Sequence, residues 1–548
     1  MSNNNYLAPE ELKVNIYFKR NPLIDWSFPQ YFEWRKRLSP FDVNFKKIQK
    51  EYNDDLETIK KSDLVDRETA KDKQAYKIIN NITYKDHASH VEISSSAVTL
   101  SMSSANESQL EIDRNAKNKN QKSTEAPGND QTNDSSEASL DFDMNTLYHC
   151  LYKLYRNEEV DLSKLSTQPA VTIRQKIYNE CVSLLKNFKQ LQPLAKSRLN
   201  VLLSSCLNTI SVDFREDMKR IVDLNQLETI LNSKPIHPFS SYSTRQWDQL
   251  KETLRETYKT GGKKNLRKFV ARERSKIYED DLETAKAFEL MILDIYSIIL
   301  DSISYKNWHE EDLHEEDFGS YWKAVLDVLF RGTGISLVRG EACCQATKYE
   351  RQINEYEYGS TSNNIFGRKL DLIIKSVIFD DKNIKRKIEL SSVEIKPINV
   401  SEDAEAIQLN KNIRVNKSIL HNIVLHTGDK AEGCHVLGLD VIGLSAFAYV
   451  LFQFQDIVVA VKADEENMLL PADDDDLEEF VMGNTLEQLL NFKSSILETV
   501  DEINKASRRY KRLRLSSKTS CATTPRLQSP PRRQFSFPKD TFYTPKRN

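Results

Sequence analysis

Two short stretches of this chain decide its predicted fold: Phe366-Gly-Arg-Lys-Leu-Asp371-Leu-Ile-Ile and Glu389-Leu-Ser-Ser-Val-Glu394-Ile-Lys396-Pro. Each is an apolar, strand-compatible run that carries acidic residues. In a strand, residues i and i+2 point to the same face, so Glu394 and Lys396 project together while Ile395 faces the core. Two carboxylates and one ammonium at one point can hold a hard divalent cation and orient a water molecule beside it. The pattern therefore indicates metal-dependent phosphodiester hydrolysis.

A polar helix is predicted directly after the second stretch, over residues 406–417. It carries Gln408 and three basic residues, Lys411, Arg414 and Lys417. Rows of lysine and arginine bind the phosphate backbone of nucleic acid because binding releases counterions. We therefore expect these three basic residues to contact nucleic acid.

The arrangement resembles the PD-(D/E)XK nuclease superfamily over about residues 315–465, and within it the fungal nuclease-like proteins of the RecB and Crinkler types. The resemblance implies that Asp371 and Glu394 bind Mg²⁺ or Mn²⁺, with the main-chain carbonyl of Ile395 as a third ligand. It implies that Lys396 orients the attacking water and that Gln408 steadies the site.

The same resemblance implies an acidic residue on the first core helix, for which Glu315 and Glu316 are the two matches. The chain departs from the family pattern at Leu370, which stands where the name-giving proline would be. That proline varies within the superfamily.

The predicted fold class is α/β, with a helical N-terminal region followed by a restriction-endonuclease-like mixed sheet flanked by helices. We expect a polar helical block over residues 1–87 and a disordered linker over 88–141, which is too poor in apolar residues to offset chain ordering. A helical domain is predicted over 142–310 and the nuclease-like domain over 311–507. A basic disordered tail is expected over 508–548.

Hydrophobic spacing supplies more detailed expectations. Leucine, valine and isoleucine residues over 199–210 predict a single helix, and two β-rich runs are predicted over 435–444 and 447–462. The acidic run 473–476 is expected to be a solvated loop, because it lacks the ligand spacing and glycine of an EF-hand. A last amphipathic helix is predicted over 484–505.

Charge is unevenly distributed along the chain. The net charge is only −3, but residues 508–548 contain twelve lysines and arginines against one acid. Such clusters are typical of nuclear import signals and nucleic-acid patches. The predicted nuclear-targeting residues are Arg508, Arg509, Lys511, Arg512 and Arg514.

Two further surfaces are candidates for regulation and binding. Thr524, Ser529 and Thr544 each precede a proline near a basic residue, which predicts sites for proline-directed kinases on the tail. Phosphorylation there would cancel part of the positive charge. A second basic stretch predicts either a nucleic-acid contact or a solvated helix face, and its candidate residues are Lys263, Lys264 and Arg267.

Composition bears on the compartment. The seven cysteines form no C-x-x-C pair and are odd in number, which predicts neither a disulfide framework nor a zinc site. No apolar stretch has the length and purity of a membrane span. We therefore expect an intracellular protein, nuclear or nucleo-cytoplasmic, without a membrane partner; the sequence does not predict an oligomeric state.

Two hypotheses from different classes follow. The first is a Mg²⁺-dependent nuclease. The second is a catalytically inactive nuclear interaction protein that uses a degenerate nuclease fold as a binding platform. At the level of residues, the alternative to a metal site is a β-hairpin with solvated charges at its edge.

Overall fold

The computed structural model describes residues 7–22, 26–38, 43–62, 136–167, 169–170, 172–210, 218–310, 312–358, 365–379, 384–427 and 434–519. Fourteen α-helices lie in these residues: α1 (Ile16–Arg20), α2 (Phe28–Leu38), α3 (Phe45–Lys61), α4 (Ser136–Tyr155), α5 (Ile173–Lys186), α6 (Pro193–Leu203), α7 (Leu224–Asn232), α8 (Arg245–Glu279), α9 (Ala287–Tyr305), α10 (Glu315–Leu329), α11 (Gln345–Tyr358), α12 (Glu402–Thr427), α13 (Asp474–Met482) and α14 (Thr485–Thr519). The same residues form eight strands: β1 (Cys206–Asn208), β2 (Ile335–Cys343), β3 (Lys369–Phe379), β4 (Lys385–Lys396), β5 (His435–Ile442), β6 (Ser445–Phe454), β7 (Ile457–Lys462) and β8 (Met468–Leu469).

The chain divides into two compact units. The smaller unit consists of Met1–Ser27, Glu51–Thr146 and Gly359–Thr361. Its described core is aromatic: the Tyr52 hydroxyl donates to the Trp26 carbonyl at 2.8 Å, and the rings of Phe18 and Trp26 meet edge to face. The larger unit consists of Phe28–Lys50, Leu147–Tyr358 and Ser362–Asn548, and it holds the sheet.

A single mixed sheet forms the centre of the larger unit. Its strand order is β1-β7-β6-β5-β4-β3-β2, and β8 pairs with β6 outside this order. β2, β3 and β4 are antiparallel neighbours, whereas β4 and β5 run parallel and are joined through α12. A parallel pair requires such a crossover because a tight turn cannot connect strands of the same direction.

Helices pack on the sheet and on one another. α12 packs on β4 and β5 and also contacts α6 and α14. α9 is apolar around most of its circumference, and Ile292, Leu293 and Ile295 on it are fully buried. None of the described helices is both long and apolar enough to cross a membrane.

The prediction of a mixed α/β fold is confirmed. The predicted boundaries between domains stay predictions, although β1 lies within the stretch assigned to a helical domain and pairs with β7. Most of the predicted linker and tail fall outside the described residues. α14 continues to Thr519, beyond the predicted start of the tail at residue 508.

The prediction of one helix over residues 199–210 is wrong. The helix ends at Leu203, Ser205 adopts a φ of +50°, and Cys206–Asn208 form a strand. Backbone hydrogen bonds with β7 explain the change, because Val458 N–H donates to Ser205 O at 3.0 Å and Thr209 N–H donates to Ala460 O at 3.0 Å. Tertiary pairing thus outweighs the local helical spacing.

Two further local expectations differ from the structure. The run 447–462 is divided between β6 and β7, because Gln455 takes a φ of +52° and begins a turn. The acidic run 473–476 is a helix start: Asp473 Oδ1 accepts hydrogen bonds from the N–H groups of Asp475 and Asp476 at 2.9 and 3.0 Å. Acidic side chains are stabilising there because a helix N-terminus presents unpaired N–H groups and partial positive charge.

Candidate functional site

Three carboxylates lie in a row across β3, β4 and β5. Leu372 pairs with Val393 across the antiparallel β3–β4 pair, so Asp371 lies opposite Glu394. Glu394 in turn pairs with Asp440 on β5. Paired residues on adjacent strands project to the same face. Asp371 is fixed by its Oδ2 atom, which accepts a hydrogen bond from Ile395 N–H at 2.8 Å.

Glu394 is the most buried of the four predicted catalytic residues, with 1% of its surface exposed. Lys411 Nζ lies 3.0 Å from its Oε1 atom, and the Gln408 side-chain amide donates to its Oε2 atom. Burial raises the pKa of Glu394 to about 8; Lys411 opposes the increase, and the neighbouring Asp371 carboxyl adds to it. Ionising Glu394 beside Asp371 is therefore costly without a further cation.

Lys396 completes the predicted catalytic set at the end of β4. Its Nζ atom donates to Glu315 Oε2 at 2.7 Å, and Glu315 is the first residue of α10. Burial acts to lower the pKa of Lys396, but Glu315, Asp371 and Glu394 outweigh it, so the pKa lies above its usual value. Lys396 is therefore a stable cation among carboxylates.

Of the two candidate acids on α10, Glu315 reaches the site through its side chain. Glu316 contributes its main-chain carbonyl, which accepts from Arg339 Nη2 at 2.7 Å, while Arg339 Nη1 donates to Ser320 Oγ at 2.6 Å. The hydrogen bond between Arg339 and the Glu316 carbonyl therefore links β2 to α10.

Asp440 is the site carboxylate that the sequence analysis missed. Its Oδ1 atom accepts from Asn412 Nδ2 at 3.0 Å, and burial raises its pKa to about 7. Lys396 acts to lower this pKa and Asp371 acts to raise it, so both groups interact electrostatically with Asp440. A single acid inside the apolar run 435–442 is a signal that could have identified it.

The predicted nucleic-acid contacts on α12 fall into different environments. Lys411 is paired with Glu394, as described above. Arg414 is buried, and its Nε atom donates to Asn410 O at 3.3 Å. Lys417 is fully buried, so in this conformation its side chain is not at the surface.

The second basic stretch lies on α8, which packs on α9 and α13 and has non-helical backbone angles at Gly261 and Gly262. Lys263 forms an ion pair with Asp474 at 2.7 Å, and Arg267 donates to the Leu300 carbonyl at 2.7 Å. Lys264 is exposed. Two of these three candidates thus hold structural contacts within the chain.

The predicted nuclear-targeting residues begin in α14. Arg508 is exposed and Arg509 half-buried, whereas Lys511, Arg512 and Arg514 lie in the helix beyond the residues whose side chains are described. The predicted kinase sites Thr524, Ser529 and Thr544 lie outside the described residues.

The donor set fits a hard divalent cation. Asp371 and Glu394 supply carboxylate oxygens at adjacent positions, and Mg²⁺ is commonly held by one or two carboxylates with water completing its shell. Across the described part of the chain, no group of three or more His, Cys, Asp and Glu side chains is arranged to hold a metal. The fit therefore rests on two carboxylates rather than on a cage of protein ligands.

No family model matches the chain, and no curated protein or solved structure is significantly similar to it. The site is therefore interpreted from its own geometry.

Proposed function

We propose that the protein is a metal-dependent nuclease that hydrolyses phosphodiester bonds of nucleic acid. The observation that carries this proposal is that Asp371 lies opposite Glu394 on the adjacent strand, with Lys396 two residues further along β4. The chain order α10, β2, α11, β3, β4, α12, β5 supports it, because it places Asp371 and Glu394 on adjacent strands and Gln408 on the following helix, as the resemblance to the PD-(D/E)XK superfamily implies.

In this proposal Asp371 and Glu394 hold Mg²⁺ or Mn²⁺, which supplies Lewis acidity at the scissile phosphate and lowers the pKa of bound water. Lys396 orients the attacking water, and Glu315 holds the Lys396 side chain in place at 2.7 Å. Gln408 fixes the orientation of the Glu394 carboxyl through its side-chain amide.

A specific observation favours a second candidate, the inactive interaction protein. Both proposed catalytic residues on β4 already have intramolecular partners: Lys411 pairs with Glu394, and Glu315 pairs with Lys396. A site whose charges are balanced internally can be stable without metal, and a binding platform of this kind requires no turnover.

The test is cleavage of plasmid DNA, single-stranded DNA and RNA with Mg²⁺ or Mn²⁺. We expect Lys396→Ala and Asp371→Ala to lower the rate by about 10²-fold or more, a typical loss for a group that acts on a reacting proton or water. Lys387→Ala is the matched control, since Lys387 is an exposed residue on the same strand, β4. Titration with Mn²⁺ should show that the Asp371→Ala variant binds the metal ion more weakly than the wild type does.

Equal cleavage by the wild type and both variants would contradict the assignment of the site. Absence of cleavage by a folded wild-type protein that does bind nucleic acid would favour the interaction-protein hypothesis.

A further inference from the structure

The segment 366–368, immediately before β3, is held firmly against the start of α11. A Cβ atom on Gly367 would lie 1.9 Å from the Cys344 carbonyl oxygen, so only glycine permits this close approach. Cys344 N–H donates to Arg368 O at 2.9 Å, and Arg368 N–H donates to Thr347 Oγ1 at 2.8 Å. Close packing and hydrogen bonds with Cys344 and Thr347 therefore fix the backbone of this segment.

Phe366 presents its ring to solvent from this fixed backbone. It is 62% exposed, while its carbonyl accepts a hydrogen bond from Arg351 Nη1 at 2.6 Å. An isolated exposed aromatic residue is ordinary on a protein surface. This one lies five residues before Asp371, no more than about 18 Å along an extended chain from the proposed metal site.

Three guanidinium groups lie in or near the segment 366–368. Burial lowers the pKa of Arg368, and the nearby positive charges of Arg414 and Arg351 contribute to the decrease, which brings the pKa to about 9. The Glu394 carboxyl acts in the opposite direction, which places Arg368 within electrostatic reach of the proposed site. Arg351 comes from α11, Arg414 from α12 and Arg368 from the approach to β3, so three parts of the fold concentrate positive charge here.

We propose that Phe366, Arg351 and Arg368 form a binding site for single-stranded nucleic acid that leads into the Asp371–Glu394 site. The Phe366 ring stacks on an unpaired base, and the guanidinium groups of Arg351 and Arg368 contact the phosphates that flank it. The buried Arg414 side chain adds positive charge beneath this site. This inference rests on the proposed nuclease function and names its substrate class.

Single strands are favoured over duplexes for a geometric reason. The face of a base is available for stacking only when the base is unpaired and unstacked, whereas a duplex presents base edges and phosphates. Lysine and arginine alone would bind either form. The exposed aromatic ring beside the arginines is therefore the feature that discriminates.

The test is fluorescence anisotropy in EDTA, which prevents hydrolysis. The probes are labelled single strands of about twenty deoxythymidines or uridines and a DNA duplex of equal length, longer than typical single-strand sites of about 4–16 nucleotides. We expect the wild type to bind the single strands at least about tenfold more tightly than the duplex. Comparing the affinities of the deoxythymidine strand and the uridine strand shows whether the site binds DNA or RNA more tightly.

The variants isolate the ring and the charges. Phe366→Ala should weaken single-strand binding at least about fivefold, in line with the usual contribution of base–aromatic stacking, and Phe366→Trp should retain it. Arg351→Gln and Arg368→Gln should weaken binding and reduce its salt dependence. Phe379→Ala is the matched control, because Phe379 is 47% exposed at the opposite end of β3 and should have no effect.

Unchanged affinity of Phe366→Ala, equal or tighter binding of the duplex, or absence of binding by the wild type would each overturn the inference. Because binding is measured without metal, the two proposals fail separately. Phe366-dependent binding without cleavage would reject only the nuclease, and cleavage with Phe366-independent binding would reject only this site.

Discussion

Glu389 and Glu394 are two buried acids of the same strand, yet their environments differ. Glu389 accepts hydrogen bonds from Gln345 N–H at 2.8 Å and Ala346 N–H at 3.0 Å. Glu394 instead faces another carboxyl, and its pKa is raised to about 8. Residue type and burial alone therefore do not distinguish a structural acid from a candidate site acid, whereas a second carboxyl beside it does.

The raised pKa of Glu394 predicts how stability depends on pH in the absence of divalent metal. A glutamate in the unfolded chain has a pKa of about 4.3, so the folded state binds an additional proton between that value and about 8. The stabilisation is fully present below the unfolded pKa and is lost as pH rises through the folded pKa.

We therefore expect Glu394→Gln to flatten the decline in the free energy of unfolding between pH 5 and pH 9, measured by urea denaturation. The slope should not vanish, because the raised pKa of Asp440 contributes in the same direction. Asp403→Asn, which changes an exposed acid on α12, should follow the wild type. A steeper slope for Glu394→Gln than for the wild type would contradict the prediction.

A buried charge cluster in the larger unit predicts a second pH effect. His421 Nδ1 lies 3.1 Å from Glu350, its Nε2 lies 3.4 Å from Glu33, and Lys36 Nζ lies 2.9 Å from Glu33. Burial acts to lower the pKa of His421, but Glu33 and Glu350 outweigh it and raise the pKa above its usual value. The stabilising interaction is fully present below about 6.5 and is lost as pH rises through the folded pKa.

His421→Gln should lower the free energy of unfolding by about 3–5 kcal/mol at pH 6, since it removes the histidine that pairs with the buried Glu350 carboxylate. The loss should be smaller at pH 9, where less of the wild-type histidine is protonated. His426→Gln is an informative comparison, because burial and Lys36 lower the pKa of His426 to about 3. That variant should instead gain stability relative to the wild type as pH falls below 6.5; equal losses for both variants at pH 6 would contradict this account.

At the scale of elements, Glu389 joins a strand to a helix. Its carboxylate caps the first N–H groups of α11 and lies 3.3 Å from Lys375 on the adjacent strand. Negative charge at a helix N-terminus is stabilising, and these donors are buried. The position of α11, which carries Arg351, therefore depends on an acid of β4.

We expect Glu389→Ala to lower the free energy of unfolding by about 3–5 kcal/mol, because it leaves Lys375 and two helix N–H groups unpaired. Glu389→Gln should cost less, since its amide oxygen can still accept one of these hydrogen bonds. Chemical denaturation of both variants measures the difference. A loss below about 1 kcal/mol for Glu389→Ala would show that the cap contributes little.

The elements that the sequence predicted well are those whose spacing is strong and local. The strands around Asp371 and Glu394 lie where apolar runs indicated them, and the polar segment 406–417 with Gln408 is helical as predicted, within the longer helix Glu402–Thr427. Cys206–Asn208 could not be predicted, because its strand conformation depends on β7, about 250 residues later in the chain. The contribution of Asp440 was missed for the same reason, since it follows from the parallel register of β5 with β4.

At the scale of the whole molecule, the sheet depends on residues far outside the predicted nuclease-like domain. β1 pairs with β7 at the edge of the sheet, and α6 packs on α12. The Asn208 side chain also donates to Asn410 Oδ1 on α12 at 3.1 Å, and both residues are buried. Removing residues before 311 would therefore expose the edge of β7 and an apolar face of α12.

We predict that a fragment of residues 311–507 does not fold cooperatively, whereas a fragment of residues 28–548, which contains the whole larger unit, does. An exposed strand edge and an uncovered apolar face both favour aggregation, so the shorter fragment should bind a hydrophobic dye and elute as large species in size-exclusion chromatography. The longer fragment, which retains β1 and α6, should show a single unfolding transition. Cooperative unfolding of the 311–507 fragment near the midpoint of the full chain would contradict the prediction, because β1 and α6 would then be dispensable for the fold that carries Asp371 and Glu394.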